Sequence, residues 1–448
     1  MAGRVAALPP SALYPPRAAR PNVAAATWVA GCRSQRARAG LHRSMAGLGW
    51  DELVREADRL SLALTATLAM LVQQAFATFT RGIVPVLAPP IGAELGVDPS
   101  LAGSYTALAA AAAMAGTVGV GGFLRRYGGY RVSQVSLAIA GTGVALGAPA
   151  GVVAIAIGGL LVGLGSTVST PASSHVLARV VPRRQQPLYF SIKQTGVPLG
   201  VAMTGVVAPA FAAFAGWRGS LGLCALLCIV FAAALEPWRA RCDTDRDPGA
   251  ALGLAAMGET IRSAWGPGVG TITAMAMCYV GLQFVHTTFV VVFLVETQGR
   301  SLAAAGGLFS VATLVAIPGR ILWGWLGGRF VAPRRLLAGI GLGTALAFGA
   351  MALLPASASD PIVLGALVLN SATVMAFHGL MLAEVARLAP PGRAGSVTGG
   401  VLFFAQIGQI ALPPLFGLAA LAAGYRFAWA VFALPALLMA AWLRRGPR

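Results

Sequence analysis

Arg81 stands inside LVQQAFATFTRGIVPVLAPP, a stretch with no other charged residue, and it defines a chemistry. Gln74, Thr78 and Arg81 recur at i, i+4 and i+7, the spacing of one helical face. A guanidinium is permanently ionised and offers a planar fork of donors matched to a carboxylate. The triplet therefore suits recognition of a small anion. The alternative is an Arg81 that bonds neighbouring carbonyls or extends its charge towards a surface.

Other polar residues recur on apolar stretches. Ser166, Ser169, Thr170 and Ser173 share one face, and Tyr279, Gln283, His286 and Thr287 share another. Asn370 and His378 lie two turns apart, and Gln406 and Gln409 lie on one apolar run. Each could equally serve as a hydrogen bond between helices. Histidine titrates near neutral pH, so His286 and His378 are the candidate proton carriers, with a structural histidine as the alternative for each. No Asp or Glu lies in the middle of an apolar run; Glu236, Glu296 and Glu384 lie near the ends. That argues against a carboxylate cage for a cation. Lys193, the only lysine, lies about one turn into its apolar run and either binds an anion or snorkels. Arg320 reads as a gating or structural residue.

Catalytic and metal constellations are not expected. The cysteines (Cys32, Cys224, Cys228, Cys242, Cys278) have no metal or CxxC spacing, and no HExxH or paired-carboxylate motif occurs in the apolar runs. The reading is of a protein that is not an enzyme and needs no cofactor, with proton coupling left open.

The elements that position these residues follow from composition. The chain is 57% hydrophobic and 10% charged, against roughly 25% charged in soluble domains. Apolar runs near the 20 residues a bilayer demands fall at about 64–90, 102–122, 132–149, 151–175, 188–212, 219–237, 268–294, 302–326, 335–355, 361–385, 396–420 and 425–443. The expected fold is an all-α integral membrane protein with twelve transmembrane helices. The polar gap at 238–264 divides them six and six.

Arginine sets the orientation. Alternate gaps hold Arg125, Arg126 and Arg131; Arg179, Arg183 and Arg184; Arg239, Arg241, Arg246 and Arg262; Arg329, Arg334 and Arg335; Arg387 and Arg393; and Arg444, Arg445 and Arg448. The intervening gaps hold only Arg218, Arg300 and Arg426, with Glu94, Asp98, Glu296 and Asp360. Both termini are thus expected in the cytoplasm, in a multi-pass protein of the inner (cytoplasmic) membrane. The net charge of +19 forms no basic face with interleaved aromatics, so no nucleic-acid partner is expected. Trp217, Trp238, Trp265, Trp429 and Trp442 lie near predicted helix ends, as an interfacial belt requires.

Residues 1–59 read as an Arg- and Ala-rich extension, expected to be disordered. An organelle transit peptide and a translation start at Met45 are alternatives. The rest divides into a six-helix bundle at 60–237, a cytoplasmic linker at 238–265 and a second bundle at 266–448. The halves repeat: GGFLRRYGGYR (121–131) is echoed by GWLGGRFVAPRR (324–335), and GWR (216–218) by GYR (424–426). Both offsets slightly exceed 200 residues, which argues for duplication.

These motifs resemble the major facilitator superfamily over roughly residues 60–445. Its loop after the second helix reads Gly-x-Leu-Ala-Asp-Arg-x-Gly-Arg-Arg. Gly121, Arg126, Gly128 and Arg131 fit that pattern, with Arg329 the counterpart of Arg126 in the echo. Arg125 occupies the usual Asp position, and Gly328 does so in the second half, which removes the acid of the family's charge relay. SIKQTGVPLG (191–200) resembles the fifth helix of facilitators that carry small anions. The resemblance implies two pseudo-symmetric bundles, with helices one, four, seven and ten lining a cavity. It makes Arg81, Gln74, Thr78, Gln283, His286, Asn370, His378 and Gln406 the candidate substrate contacts. Gly121, Arg125, Arg126, Gly128, Arg131, Arg320 and Arg329 are the candidate loop and gating residues. The expected activity is secondary transport of a small carboxylate-like anion by alternating access, by a monomer whose partners are its solute and the bilayer. The alternative is an exporter of amphipathic drugs or toxic metabolites.

Overall fold

The computed structural model describes residues 50–117, 120–149, 151–182, 185–250, 257–390 and 394–445. The extension up to residue 49, including Cys32, and Arg183, Arg184, Arg393 and Arg448 lie outside the described residues. The chain divides into Met1–Ser61, whose described residues are helical, and Leu62–Arg448.

Helices are the only regular structure among the described residues. The cause is solvation: in hydrocarbon no water satisfies backbone N–H and C=O groups, so an apolar run must bond within itself. Nine described helices are long and apolar enough to cross a bilayer. A tenth crossing is a bent pair, Pro99–Gly116 with Val120–Tyr127. The continuous helix Leu188–Ala234 is really two, because Gly216 (φ 69°, ψ 174°) breaks it into 188–215 and 217–234. Gly129–Leu146 completes twelve; Arg131 and Gln134 in its opening turns lower its hydropathy. In order the spans are Leu60–Val86, the bent pair, Gly129–Leu146, Val152–Val180, the two halves of 188–234, Val269–Glu296, Leu302–Gly327, Pro333–Leu353, Asp360–Leu388, Val397–Ala423 and Tyr425–Arg445. The gap between the sixth and seventh is not featureless, since Glu236–Cys242 and Met257–Ser263 are short helices.

The tenth span, expected to be continuous, is interrupted at 375–377, between helices Asp360–Val374 and His378–Leu388. The eighth span repairs the break. Trp323 Nε1 donates to the Ala372 carbonyl (2.6 Å) and Arg320 Nε to that of Met375 (3.2 Å). Arg320 of the eighth span is thus a hydrogen-bond donor to the tenth.

Small residues bring helices from the two halves into backbone contact. A Cβ on Gly205 of the fifth span would lie 2.5 Å from the Gly306 oxygen of the eighth. Ser310 Oγ, one turn on, donates to the Ala202 carbonyl (2.7 Å). In the second such seam, a Cβ on Gly417 of the eleventh span would lie 2.5 Å from the Ser100 oxygen, beside the approach of Gly103 to Pro413. Both seams lie towards the arginine-poor end of the spans.

That end is close to neutral. Arg218 pairs with Glu94, which also accepts from Trp217 Nε1 (2.6 Å), and Arg300 pairs with Asp360. The aromatic belt is only partly as expected. Trp238, Trp265 and Trp442 are exposed, but Trp217 packs in a buried hydrophobic cluster with Ile83 and Leu221, with its indole N–H bonded to Glu94. Trp429 is fully buried, packed edge-on against Phe293, Phe348 and Phe416, because the twelfth span turns it inward.

Candidate functional site

Arg81 reaches from the first span to the seventh. Its guanidinium lies 5.0 Å from the centre of the Phe284 ring, a cation–π contact worth roughly 0.5–2 kcal/mol. Nη2 is buried without a hydrogen-bond partner, and none of the ion pairs among the described residues includes Arg81. A charge within a bilayer costs several kcal/mol, and one aromatic face offsets part of that. The guanidinium therefore retains donor capacity at a contact between the two halves.

Two turns earlier the first span carries a second polar group. Gln74 Oε1 accepts from Lys193 Nζ (3.0 Å) and Thr170 Oγ1 (3.2 Å), which joins the first, fifth and fourth spans. Glycine makes the junction possible: a Cβ at Gly196 would lie 2.5 Å from the Leu71 oxygen and 3.1 Å from Gln74 Cβ. Gln73 Nε2 donates to Ser169 Oγ (2.9 Å). Thr78 donates to the Gln74 carbonyl (2.8 Å), so its hydroxyl proton is spent on its own helix and only its lone pairs remain.

On the seventh span Gln283 and His286 are buried, and Gln283 Oε1 and both imidazole nitrogens of His286 have no partner among the described residues. His286 packs 5.9 Å from the Phe309 ring. Tyr279, expected on the same stripe, instead donates to the Leu337 carbonyl of the ninth span (3.1 Å). Asn370 is also turned to the ninth span, its amide bonding the Ala347 (3.3 Å) and Ala366 (3.1 Å) carbonyls. His378 begins the helix after the break, stacked 4.3 Å from Phe377, with Nδ1 unpartnered. Gln406 is half-buried on the eleventh span; Gln409 is fully buried, with its amide nitrogen unpartnered. Sequence reasoning missed Phe284 and the Gln74–Lys193 bond. An aromatic one residue after Gln283 could have signalled the first.

Comparison with known proteins places this architecture. The family profile described as Major Facilitator Superfamily matches residues 70–412. The chain belongs to the major facilitator superfamily. An uncharacterised transporter of this type from Mycobacterium tuberculosis is 28% identical over 270 residues, 58% of this chain and 57% of the relative. The match thus spans little more than half of that relative's length. Among solved structures, a bacterial homologue of the human lysosomal transporter Spinster, inward-facing and unoccupied, superposes with a TM-score of 0.71 at 18% identity. It covers 85% of this chain and 96% of its own. A peptide transporter in complex with sulfate gives 0.69 at 15% identity over 85% and 94% of the chains. A nucleoside transporter gives 0.68 at 14% over 86% and 99%. These likenesses show the fold.

The facilitator's loop motif has a partner that its own sequence lacks. Arg125 replaces the usual acid, yet the N-terminus of the third span carries a carboxylate. Asp243, from the linker, accepts from the backbone N–H groups of Tyr130 and Arg131 (both 2.9 Å). It fills the space beside Gly128, whose φ of 88° and missing Cβ admit it. Burial pushes the Asp243 carboxyl above the usual aspartate range, against the pull of the two amides. Asp245 holds His175 (3.0 Å) and Arg179 (2.7 Å) of the fourth span, and the Asp247 N–H donates to the Arg125 carbonyl (2.9 Å). Glu236 binds Arg131 (3.3 Å) and Gln134 (2.9 Å), and the Gln134 bond leads in holding its carboxyl below the usual range. Arg126 packs on Tyr127 (5.7 Å) as Arg329 packs on Phe330 (5.5 Å), so the repeat extends to side-chain geometry. A Cβ at Gly121 would meet open space.

Proposed function

We propose that this facilitator is a secondary transporter moving a small organic anion of the carboxylate class by alternating access, with Arg81 holding the anionic group. One observation carries the reading: a permanent cation bridges the two halves, stacked on Phe284, with Nη2 unpartnered and no acid paired with it among the described residues. The backbone seams at the arginine-poor end support access from the opposite, arginine-rich end in this conformation. Gln283 and His286, one and two residues from the Phe284 ring that Arg81 covers, would supply neutral donors and acceptors for the remainder of a polar solute.

The test is Arg81→Gln in purified, reconstituted protein. Loss of one charge-assisted hydrogen bond is worth about 1.5–3 kcal/mol, so carboxylate affinity falls roughly ten- to a hundredfold per mole of folded protein. Arg81→Lys recovers only part, because an ammonium lacks the planar fork. Unchanged affinity in the Gln variant, with a reduced folded yield, would make Arg81 a packing residue. Displacement of bound solute by cationic dyes but not by carboxylates would favour the drug-export alternative.

A further inference from the structure

Lys193 is the only lysine in the chain, and it is 1% exposed. Its ammonium donates to Gln74 Oε1 (3.0 Å) and Gln194 Oε1 (3.1 Å), both uncharged acceptors. None of the ion pairs among the described residues includes it. An ammonium has three donors, so one N–H remains after these two bonds. A buried cation held only by amide dipoles is costly until an anion joins it. Its placement is built into the backbone, since Gly196, one turn on, lets the fifth span close onto Leu71 and Gln74. Thr170, which donates to the same Gln74 oxygen, is itself exposed, so the junction borders accessible surface.

Lys193 meets the first span at Gln74, on the helical face that also carries Arg81 two turns on. Gln74 and Arg81 are seven residues apart, about 10 Å along a helix axis, and Lys193 joins at the level of Gln74. Two unneutralised cations at that separation match two separate anionic groups better than one. We infer that Lys193 is a second anion-binding point of the same site, which makes the facilitator selective for dicarboxylates over monocarboxylates. The inference rests on Arg81 being an anion ligand.

Binding of hexanoate and of straight-chain dicarboxylates from four to nine carbons to the purified full chain tests it. In the wild type the best dicarboxylate binds at least about tenfold tighter than hexanoate, the worth of one further charge-assisted bond. Lys193→Gln abolishes that preference by weakening dicarboxylates at least about tenfold more than hexanoate, whereas Arg81→Gln weakens both classes. If Lys193→Gln does not fold, Gln74→Leu, which removes the oxygen that orients the ammonium, must cut the preference instead. A wild type without the preference, or a folded Lys193→Gln that keeps it, overturns the inference while leaving Arg81 as ligand. Hexylphosphonate binding as tightly as the best dicarboxylate also overturns it, because that charge sits at one point. No effect of Arg81→Gln on hexanoate removes the underlying reading, and this inference with it.

Discussion

Replacing Asp243 by Ala should loosen the linker from the third span, and Cys242 is placed to report it. The Asp243 side chain is 2% exposed and caps two backbone N–H groups at 2.9 Å each. Loss of a helix N-cap costs about 0.5–2 kcal/mol. Two bonds to a carboxylate would raise that figure, but burial, which lifts the Asp243 carboxyl above its usual range, offsets the gain. A net loss of about 1–2 kcal/mol shifts a local opening equilibrium by a factor of about 5–30. Cys242 is also 2% exposed, and burial pushes its thiol up, so it reacts slowly while docked. In a variant whose other cysteines are replaced, maleimide labelling under conditions of fast opening should accelerate by that factor in Asp243→Ala. Asp243→Asn, which keeps an acceptor, should fall between, and Asp360→Asn at the other end of the spans should change nothing. Labelling of Asp243→Ala within twofold of its parent would refute the argument that this carboxylate holds the linker.

Gly306→Leu should force the fifth and eighth spans apart, because even a Cβ there meets the Gly205 backbone; spin labels on residues 214 and 302 should move to longer distances, and an unchanged distribution would show that the seam tolerates bulk. The linker should face the cytoplasm, so a periplasm-active reporter fused after Pro248 should be silent, and strong activity would reverse the orientation.

Much of the fold was legible because membrane helices announce themselves through apolar length, and the GWR break marked where one long helix divides. The third span starts at Gly129 rather than near 132 because Asp243 caps it from 113 residues away, and no local pattern encodes that partner. The tenth span's interruption was hidden for a similar reason, since the donors that stabilise it, Arg320 and Trp323, belong to another helix. At the candidate site, helical spacing grouped Gln74 with Arg81, but spacing cannot tell a stripe facing solute from one facing a neighbouring helix. Asn370 and Tyr279 shared a face with plausible ligands and yet bond the ninth span. The contact of Lys193 with Gln74, made possible by Gly196, was equally invisible in local spacing.

The eighth span is anchored at both ends in different ways, and this makes it a lever. Gly306 and Ser310 fix one end against the fifth span through backbone contact. Trp323 and Arg320 tie the other to carbonyls at the interruption of the tenth span. From Gly306 to Trp323 is about 25 Å of helix, so a tilt of roughly 5° about the seam carries the indole about 2 Å. That displacement exceeds what a 2.6 Å N–H···O bond tolerates. Rocking at the arginine-poor end must therefore either drag the interrupted helix, and the segment beginning at His378, along with it or break its two supports.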